Sequence, residues 1–355
     1  MNQKLLIMLT VTSLSFTAFL GGYLISQKDF HRSSVSSNAN VLDKFSGNNP
    51  SPGPQDSSGN LRLLSQRFVV SPVLSKEKDG IIYYEKGSGK VFEATLKDQR
   101  EKLVSDTSLT DLIKTIWSPS RKEVVSLFYY PKENRYKYFS YKTKASIDLG
   151  TNIRSLAFSP DGSQIAYFGS KEDSRGMFIS QPDGSSFKRI LSSRLESAEV
   201  YWPTDDWLAF VTNTANGFEL YNLSRAGEVK KILNQRDGLE VKWSKDGSKV
   251  LFSQKAESGL NLFYKDVTSE SEISLNVATS ASKCDWSVDS KTIVCGVPRS
   301  SASGDEIYEI GLDGTKKLIS SPTSKINTAE LFLSGLDDYI VILNNSDAKL
   351  YILKK

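Results

Sequence analysis

Residues 61–355 show a repeating order of hydrophobic and polar positions, in which short apolar runs alternate with turn residues about every 42 positions. The clearest copies read AFSPDGSQIAYF, KWSKDGSKVLFS and DWSVDSKTIVCG. Each copy is anchored by an aromatic residue or a leucine. The seven anchors are Leu74, Trp117, Phe158, Trp202, Trp243, Trp286 and Leu333. Four of the five tryptophans are anchors, so the pattern indicates an internal repeat.

Each repeat predicts four short antiparallel strands. The first strand ends at the anchor, and a tight turn such as Asp-Gly leads into a second strand such as IAYF or VLFS. The third strand carries alternating aromatic residues, as in FELYNL, and a further turn leads to a fourth, as in FKRILS. Four strands in about 42 residues is the period of a β-propeller blade. The repeat therefore predicts an all-β, seven-bladed propeller, with six or eight blades as the alternatives because the first and last units match weakly.

The two ends of the repeat region predict how the ring closes. The last unit stops after its third strand at 349–355, whereas LRLLSQ at 61–66 matches the fourth strands at 188–193 and 316–321. We therefore predict that strand 61–66 completes the last blade, which removes an exposed sheet edge and joins the two ends of the domain.

The amino-terminal residues predict a membrane segment and a tether. Residues 5–25 are uncharged and mainly apolar, which is enough chain to cross a bilayer as a helix. We expect residues 1–26 to anchor the chain in the cytoplasmic membrane; a cleaved signal peptide, and hence a secreted protein, is the alternative. Residues 27–60 are rich in Ser, Asn, Pro and Gly and predict a disordered linker. Both alternatives place the propeller outside the cytoplasm, in the periplasm or at the cell surface.

The two cysteines of the chain predict a disulfide. The repeat register sets Trp286 opposite Ile293 across the first hairpin of its unit, and the same register sets Cys284 opposite Cys295. Directly opposed strand residues lie about 4.5–5.5 Å apart at Cα, which is within disulfide reach. Such a bond requires an oxidising compartment and agrees with export. Two buried free thiols are the alternative.

Composition excludes several kinds of chemistry. The only histidine, His31, falls in the predicted linker, so the predicted domain has no Ser-His-Asp triad, Cys-His dyad or histidine-ligated metal. The formal net charge of +4 is too small to indicate nucleic-acid binding. The Gly87–Lys90 segment resembles the end of a phosphate-binding loop, but Val91 stands where that loop needs Ser or Thr. We therefore expect no cofactor, no metal and no nucleic-acid partner.

Charged residues recur on the predicted first strands, three positions before the anchors. They are Lys114, Glu199, Glu240, Lys283 and Glu330. Because the first strand of a blade is expected nearest the axis, these side chains are expected at the mouth of the central channel. They indicate a site for a small ligand or peptide; the alternative is a solvated rim whose charges partly pair.

The turn aspartates Asp161, Asp246 and Asp289 recur with the repeat. Catalytic carboxylates are not expected once per blade, so this placement favours hydrogen bonding within turns. A glycosidase needs only a pair of carboxylates, but no pair stands out among the 41 acidic residues.

The segments IRSLAFSPDGSQIAYFGS and VKWSKDGSKVLFSQ resemble the TolB-like, WD40-like (PD40) propeller repeats. The resemblance covers nearly all of residues 61–355. It implies a β-propeller outside the cytoplasm that works through protein contacts in the cell envelope. No separate α/β domain is expected before the propeller, so binding to TolB's own lipoprotein partner is not carried over.

We therefore expect a non-catalytic, membrane-tethered propeller that serves as an interaction scaffold. Its partner would be a protein or peptide of the cell envelope, with residues 5–25 holding the chain in the membrane. The alternative functions are a carboxylate-only glycosidase or lyase, and a carbohydrate-binding or adhesion module that uses loop aromatics such as Trp207.

Overall fold

A computed structural model describes residues 61–131, 134–150, 152–171, 174–257, 259–299 and 304–355. These residues form seven four-stranded antiparallel sheets, which confirms the predicted all-β, seven-bladed propeller. The predicted membrane segment at 5–25 and the predicted linker at 27–60 lie outside the described residues. Within the described ranges, no helix is long and apolar enough to span a bilayer.

The first strand, β1 (Arg62–Ser65), belongs to the last blade, and blades 1 to 4 each contain four consecutive strands. Blade 1 comprises β2 (Val69–Leu74), β3 (Gly80–Glu85), β4 (Val91–Thr95) and β5 (Glu101–Ser105). Blade 2 comprises β6 (Leu112–Trp117), β7 (Glu123–Phe128), β8 (Arg135–Ser140) and β9 (Ser146–Gly150). Blade 3 comprises β10 (Ile153–Phe158), β11 (Ile165–Lys171), β12 (Ser174–Ser180) and β13 (Lys188–Ser192). Blade 4 comprises β14 (Ala198–Tyr201), β15 (Trp207–Thr214), β16 (Gly217–Ser224) and β17 (Val229–Arg236).

The remaining blades follow the same plan, with a short 3-10 helix at Ala281–Lys283 before blade 6. Blade 5 comprises β18 (Glu240–Trp243), β19 (Lys249–Ala256), β20 (Gly259–Asp266) and β21 (Glu272–Ser274). Blade 6 comprises β22 (Cys284–Trp286), β23 (Thr292–Pro298), β24 (Asp305–Gly311) and β25 (Lys316–Ser320). Blade 7 comprises β26 (Thr328–Leu333), β27 (Tyr339–Asn344), β28 (Lys349–Lys354) and the amino-terminal β1.

Strand β1 closes the ring by pairing antiparallel with β28, which confirms the predicted role of residues 61–66. Arg67, two residues after the end of β1, holds this strand against blade 1. Its guanidinium stacks on the ring of Phe92, 3.7 Å from the centroid. It also pairs with Glu85 at 2.6 Å and with Glu101 at 3.2 Å. The closing strand is therefore held by backbone pairing to blade 7 and by side-chain contacts to blade 1.

The apolar core lies between blades, with one cluster of buried residues at each of the seven junctions. First strands of successive blades contact one another at five junctions, which places these strands innermost. Fourth strands such as β5 and β9 are mainly exposed. The cluster between blades 1 and 2 contains five buried residues, whereas each of the other six contains eight or more.

The predicted anchors stand at or directly after the ends of the first strands, and six of the seven are buried. Two indoles reach across a junction: Nε1 of Trp117 donates to the carbonyl of Ser71 at 3.3 Å, and Nε1 of Trp286 donates to that of Lys242 at 3.1 Å. Trp243 is half-buried, and its ring meets that of Trp207 edge-on at 5.0 Å between centroids. Trp207 therefore begins strand β15 and packs between blades, so its expected place on a loop is wrong.

The turn aspartates complete the first hairpin of their blades. The Ser159 hydroxyl donates to the Asp161 carboxylate at 2.5 Å, and the backbone N–H of Ser163 donates to the same oxygen at 3.0 Å. The same hydroxyl-to-carboxylate bond recurs at Ser244–Asp246 (2.6 Å) and Ser287–Asp289 (2.7 Å). These aspartates thus satisfy turn donors, as their regular spacing predicts.

A buried ionic cluster joins blades 5, 6 and 7. Nζ of Lys245 lies 2.7 and 2.9 Å from the two oxygens of Asp285, whose side chain is 4% exposed. The same carboxylate accepts the backbone N–H of Leu333 at 3.0 Å. Nζ of Lys242 lies 3.8 Å from Asp285 and also donates to the carbonyl of Leu331 at 3.4 Å. Asp285 is therefore the point at which three blades are linked.

Electrostatics favour the ionised form of Asp285. Burial opposes ionisation, but the ammonium groups of Lys242 and Lys245 outweigh it and hold the pKa of Asp285 below its ordinary value. Burial lowers the pKa of Lys242. A carboxylate with a lowered pKa stabilises the fold above its ordinary pKa, and this contribution is lost as the pH falls through the lowered value.

We expect Asp285→Asn to lower the free energy of unfolding at neutral pH by about 3 kcal/mol, because it leaves two ammonium groups without their carboxylate. The difference from wild type should shrink as the pH falls from about 4 toward the lowered pKa of Asp285, because the unfolded wild-type chain takes up the proton first and the folded carboxylate follows only at lower pH. Urea denaturation across a pH series measures both effects. Asp289→Asn, in the exposed turn of the same blade, is the control and should lose much less; equal losses would contradict the cluster's role.

The structure contains the predicted Cys284–Cys295 disulfide, which links strands β22 and β23. The two residues pair directly, with Cα atoms 4.1 Å apart, and both are fully buried. The bond closes a short loop because its ends are 11 residues apart.

Replacing both residues, Cys284→Ala with Cys295→Ala, should destabilise the propeller by about 3 kcal/mol, since the bond restricts the unfolded chain. The denaturant midpoint measures this loss. Wild-type protein unfolded in the presence of reductant should give the same lowered midpoint. A wild-type midpoint that does not respond to reductant would show that the thiols are free.

Candidate functional site

The five predicted channel-rim residues lie on first strands or directly before them. The four exposed ones are Lys114, Glu199, Glu240 and Glu330. Lys283 is half-buried. Lys283 stands in the 3-10 helix before blade 6, where its Nζ lies 3.0 Å from Asp305 and 3.1 Å from the amide oxygen of Asn327. This lysine is therefore held in the structure by its own partners.

The glutamates of blades 4 and 5 interact with one phenol. Burial is the main cause that raises the pKa of Tyr201, and the carboxylates of Glu199 and Glu240 raise it further. The phenol consequently stays protonated at neutral pH and serves as a donor to Glu199. Glu240 also accepts hydrogen bonds from the hydroxyl of Ser280 and from the backbone N–H of Ser282. Glu199, Tyr201 and Glu240 therefore form a carboxylate–phenol group on the first strands of blades 4 and 5.

Glu330, on the first strand of blade 7, is exposed at its surface, yet many protein atoms surround its carboxylate. This partial desolvation raises the pKa of Glu330, although the nearby Lys242 acts in the opposite direction. Lys114, on blade 2, forms no ion pair with any described residue. Among the described rim residues, Glu199 and Glu240 share Tyr201 as a partner, whereas Lys283 and Glu330 interact with other residues.

A cleft with a volume of about 630 Å³, which was not predicted from the sequence, lies between blades 1 and 2. Phe128, Lys137 and Phe139 line it from strands β7 and β8. The connection 107–111 from blade 1 and the turn 129–131 form the rest of its lining on that side. The alternation of basic and aromatic residues in RYKYFSYK, at 135–142, was the available sequence signal.

The inner end of the cleft is polar. The hydroxyls of Tyr84 and Tyr141 lie 2.6 Å apart, and those of Thr115 and Ser126 lie 3.1 Å apart. Burial raises the pKa of Tyr84 to about 12. The ring of Trp117 stacks on that of Tyr141, with 5.8 Å between centroids. Hydrogen-bonded aromatic side chains therefore occupy the junction that has the fewest buried apolar residues.

Lys137 places a positive charge among these rings. Its Nζ lies 5.5 Å from the centroid of Phe128 and 5.7 Å from that of Tyr130. Its cross-strand neighbour Asp148 pairs instead with Arg135, at 3.6 Å. Within the described ranges, no carboxylate lies within ion-pair distance of the Lys137 ammonium. The cleft can therefore offer a cation and several aromatic faces to a ligand.

No family model and no curated protein matches this chain. Solved structures do match. An oligogalacturonate lyase in complex with manganese is 11% identical, with a TM-score of 0.63, over 85% of this chain and 95% of the other. An oligogalacturonate lyase from Vibrio parahaemolyticus is 10% identical, with a TM-score of 0.61, over 84% and 95%.

TolB from Acinetobacter baumannii is 15% identical, with a TM-score of 0.48, over 77% of this chain and 65% of the other. Likeness at such low identity shows the fold alone. The solved propellers confirm the fold that the TolB-like repeat pattern predicts, and the activity has to follow from the residues of this chain.

Proposed function

We propose that this protein is a non-catalytic recognition scaffold that binds an acidic protein partner through blades 1 and 2. Blade 2, at residues 112–150, contains eight basic and three acidic residues, an excess of five positive charges. The whole chain carries a formal charge of only +4, so the positive charge is concentrated on this blade. Such a field favours acidic partners and accelerates their association.

The distribution of exposed hydrophobic side chains carries the proposal. Six of the twelve large hydrophobic residues that are exposed in the described ranges belong to the first two of seven blades or the segment entering them. They are Phe68, Leu103, Val104, Ile113, Tyr129 and Ile147. Exposed apolar side chains that concentrate in one region mark interaction surfaces, and the buried centres of protein interfaces are rich in aromatic residues.

We also propose that the scaffold works outside the cytoplasm, tethered by residues 5–25. The Cys284–Cys295 disulfide supports this location, because such bonds persist in oxidising compartments. The same bond supports an envelope protein or peptide as the partner, since both molecules must share a compartment.

A lyase is the second candidate, and the group formed by Glu199, Tyr201 and Glu240 favours it. Carboxylates and a phenol can transfer protons without histidine. One of the structurally similar lyases holds manganese. The described residues of this chain include no group of three or more His, Cys, Asp or Glu side chains that could hold a metal, and the only histidine is His31. The described residues therefore do not fit manganese, and the lyase candidate includes no catalytic step on a metal.

The scaffold proposal predicts that Leu103→Ser, Val104→Ser and Ile113→Ser, combined in one variant, abolish capture of the partner. These side chains are exposed, so the variant should fold normally while losing apolar contact area. The measurement is affinity capture from envelope extracts of the source organism, with quantitative mass spectrometry of the bound proteins.

The matched control replaces three exposed hydrophobic residues on fourth strands of other blades: Val229→Ser, Ile273→Ser and Leu318→Ser. It should retain the same partner at wild-type levels. Capture of no protein by the wild type, or equal capture by both variants, would contradict the proposal.

The lyase candidate predicts cleavage of a polyuronate with formation of an unsaturated product. Ultraviolet absorbance of that product measures the reaction, and Glu240→Gln should reduce the rate by about 100-fold or more if this carboxylate transfers the proton. Absence of any product with the wild type, or the same rate with Glu240→Gln, would exclude this role for the group formed by Glu199, Tyr201 and Glu240.

A further inference from the structure

We propose that the cleft between blades 1 and 2 binds a short segment of the partner's chain, in which a carboxylate lies next to an aromatic side chain. Lys137 pairs with the carboxylate, and the rings of the cleft enclose the aromatic side chain. This inference rests on the proposed function and assigns a binding site within that surface.

The size of the cleft suits a peptide segment. Its volume of about 630 Å³ falls within the range of roughly 300–1,000 Å³ that is usual for ligand sites. A ligand can reach the wall formed by β7 and β8 because fewer apolar side chains are buried at this junction than at any other. An inserted aromatic side chain would supply apolar contacts that the other six junctions obtain from the protein itself.

The walls are suited to an aromatic side chain in particular. Phe128, Phe139 and Tyr141 all line the cleft, and the rings of Phe139 and Tyr141 meet edge-on at 4.9 Å between centroids. Aromatic pairs prefer offset or edge-to-face arrangements, which such walls offer to an added ring. Tyr129, which also lines the cleft, is 58% exposed and can contact an inserted side chain.

The charge of the cleft selects an acidic ligand. Lys137 is half-buried, and no carboxylate of the described residues lies within ion-pair distance of its ammonium. Among the described residues that line the cleft, Asp111 is the only acidic one, and it forms no ion pair with Lys137. The excess of basic residues on blade 2 keeps the surrounding field positive. Partial burial makes such a pair stronger than a fully exposed one.

The surroundings favour a protein segment over an acidic oligosaccharide. Val104 lines a second cavity together with Trp117 and Tyr141, and Tyr141 also lines the cleft, so exposed apolar surface continues beyond the cleft. A protein partner gains free energy by covering this surface as well as by filling the cleft, whereas a sugar chain offers little apolar area for it.

The experiment uses the full chain and two fluorescently labelled hexapeptides, one alternating Asp and Phe and the other alternating Asn and Phe. Fluorescence anisotropy at low salt gives the two dissociation constants. We expect the acidic peptide to bind about tenfold more tightly, and Lys137→Gln to remove that difference. Lys188→Gln, at an exposed lysine of strand β13, should leave it unchanged.

A second variant tests the aromatic wall without risk to the core. Tyr129→Ser changes an exposed side chain and should weaken binding of both peptides by about threefold or more. Equal affinity for the two peptides, or an acidic preference that survives Lys137→Gln, would overturn the proposal. Binding of an oligogalacturonate at this site without binding of the acidic peptide would overturn it in favour of a carbohydrate ligand.

The two proposals fail in different ways. If Lys137→Gln captures the partner from envelope extracts as wild type does, while the variant at Leu103, Val104 and Ile113 does not, the scaffold stands and the cleft is not its site. If the acidic peptide binds with the expected Lys137 dependence but no partner is captured, the cleft is a peptide site and the scaffold proposal fails.

Discussion

Pairing of β1 with β28 is the contact on which the rest of the structure depends. Each blade is a thin sheet whose two faces are apolar, and the seven buried clusters all lie between blades. A blade can therefore bury both faces only in a closed ring. Strand β1 supplies the fourth strand of blade 7 from the opposite end of the domain. Arg67, which follows it, stacks on Phe92 and pairs with Glu85 and Glu101 of blade 1, so one short segment connects the last blade to the first.

Polar contacts between innermost strands fix the blades once the ring is closed. The hydroxyl of Ser71 accepts the backbone N–H of Thr115 at 2.8 Å, and that of Ser155 accepts the N–H of Val200 at 3.0 Å. At the junction of blades 6 and 7 the acceptor is the carboxylate of Asp285. A serine satisfies one backbone donor, whereas a buried carboxylate also requires cations. Lys242 and Lys245 of blade 5 provide them, which is why this one position links three blades instead of two.

Features that depend on the spacing of residues along the chain could be predicted from the sequence. Contacts between blades and the space left between side chains could not. The anchors, the closing strand and the Cys284–Cys295 pair follow from the register of one hairpin repeated along the chain, so they could be located without coordinates. Asp285 lies between Cys284 and Trp286 in an apolar strand, but its partners on neighbouring blades could not be found by spacing. Four of the five rim residues lie on first strands as predicted, whereas Lys283 lies in the 3-10 helix before blade 6. Its pairing with Asp305 could not be found by spacing. The cleft was missed because it arises from space that side chains leave unfilled.

A binding site at the junction of blades 1 and 2 is consistent with the way the ring is stabilised. The Asp285 cluster acts on blades 5, 6 and 7, away from this cleft, and ring closure acts at the junction of blades 7 and 1, on the opposite face of blade 1. The junction itself uses fewer buried apolar residues and depends more on hydrogen-bonded side chains such as Tyr84 and Tyr141. Opening one junction costs apolar contacts there, but in a closed ring the blades on both sides remain held by their other neighbours. The proposed recognition surface, with its concentration of positive charge and exposed apolar side chains, therefore lies where the fold can accept an inserted side chain without losing its closure.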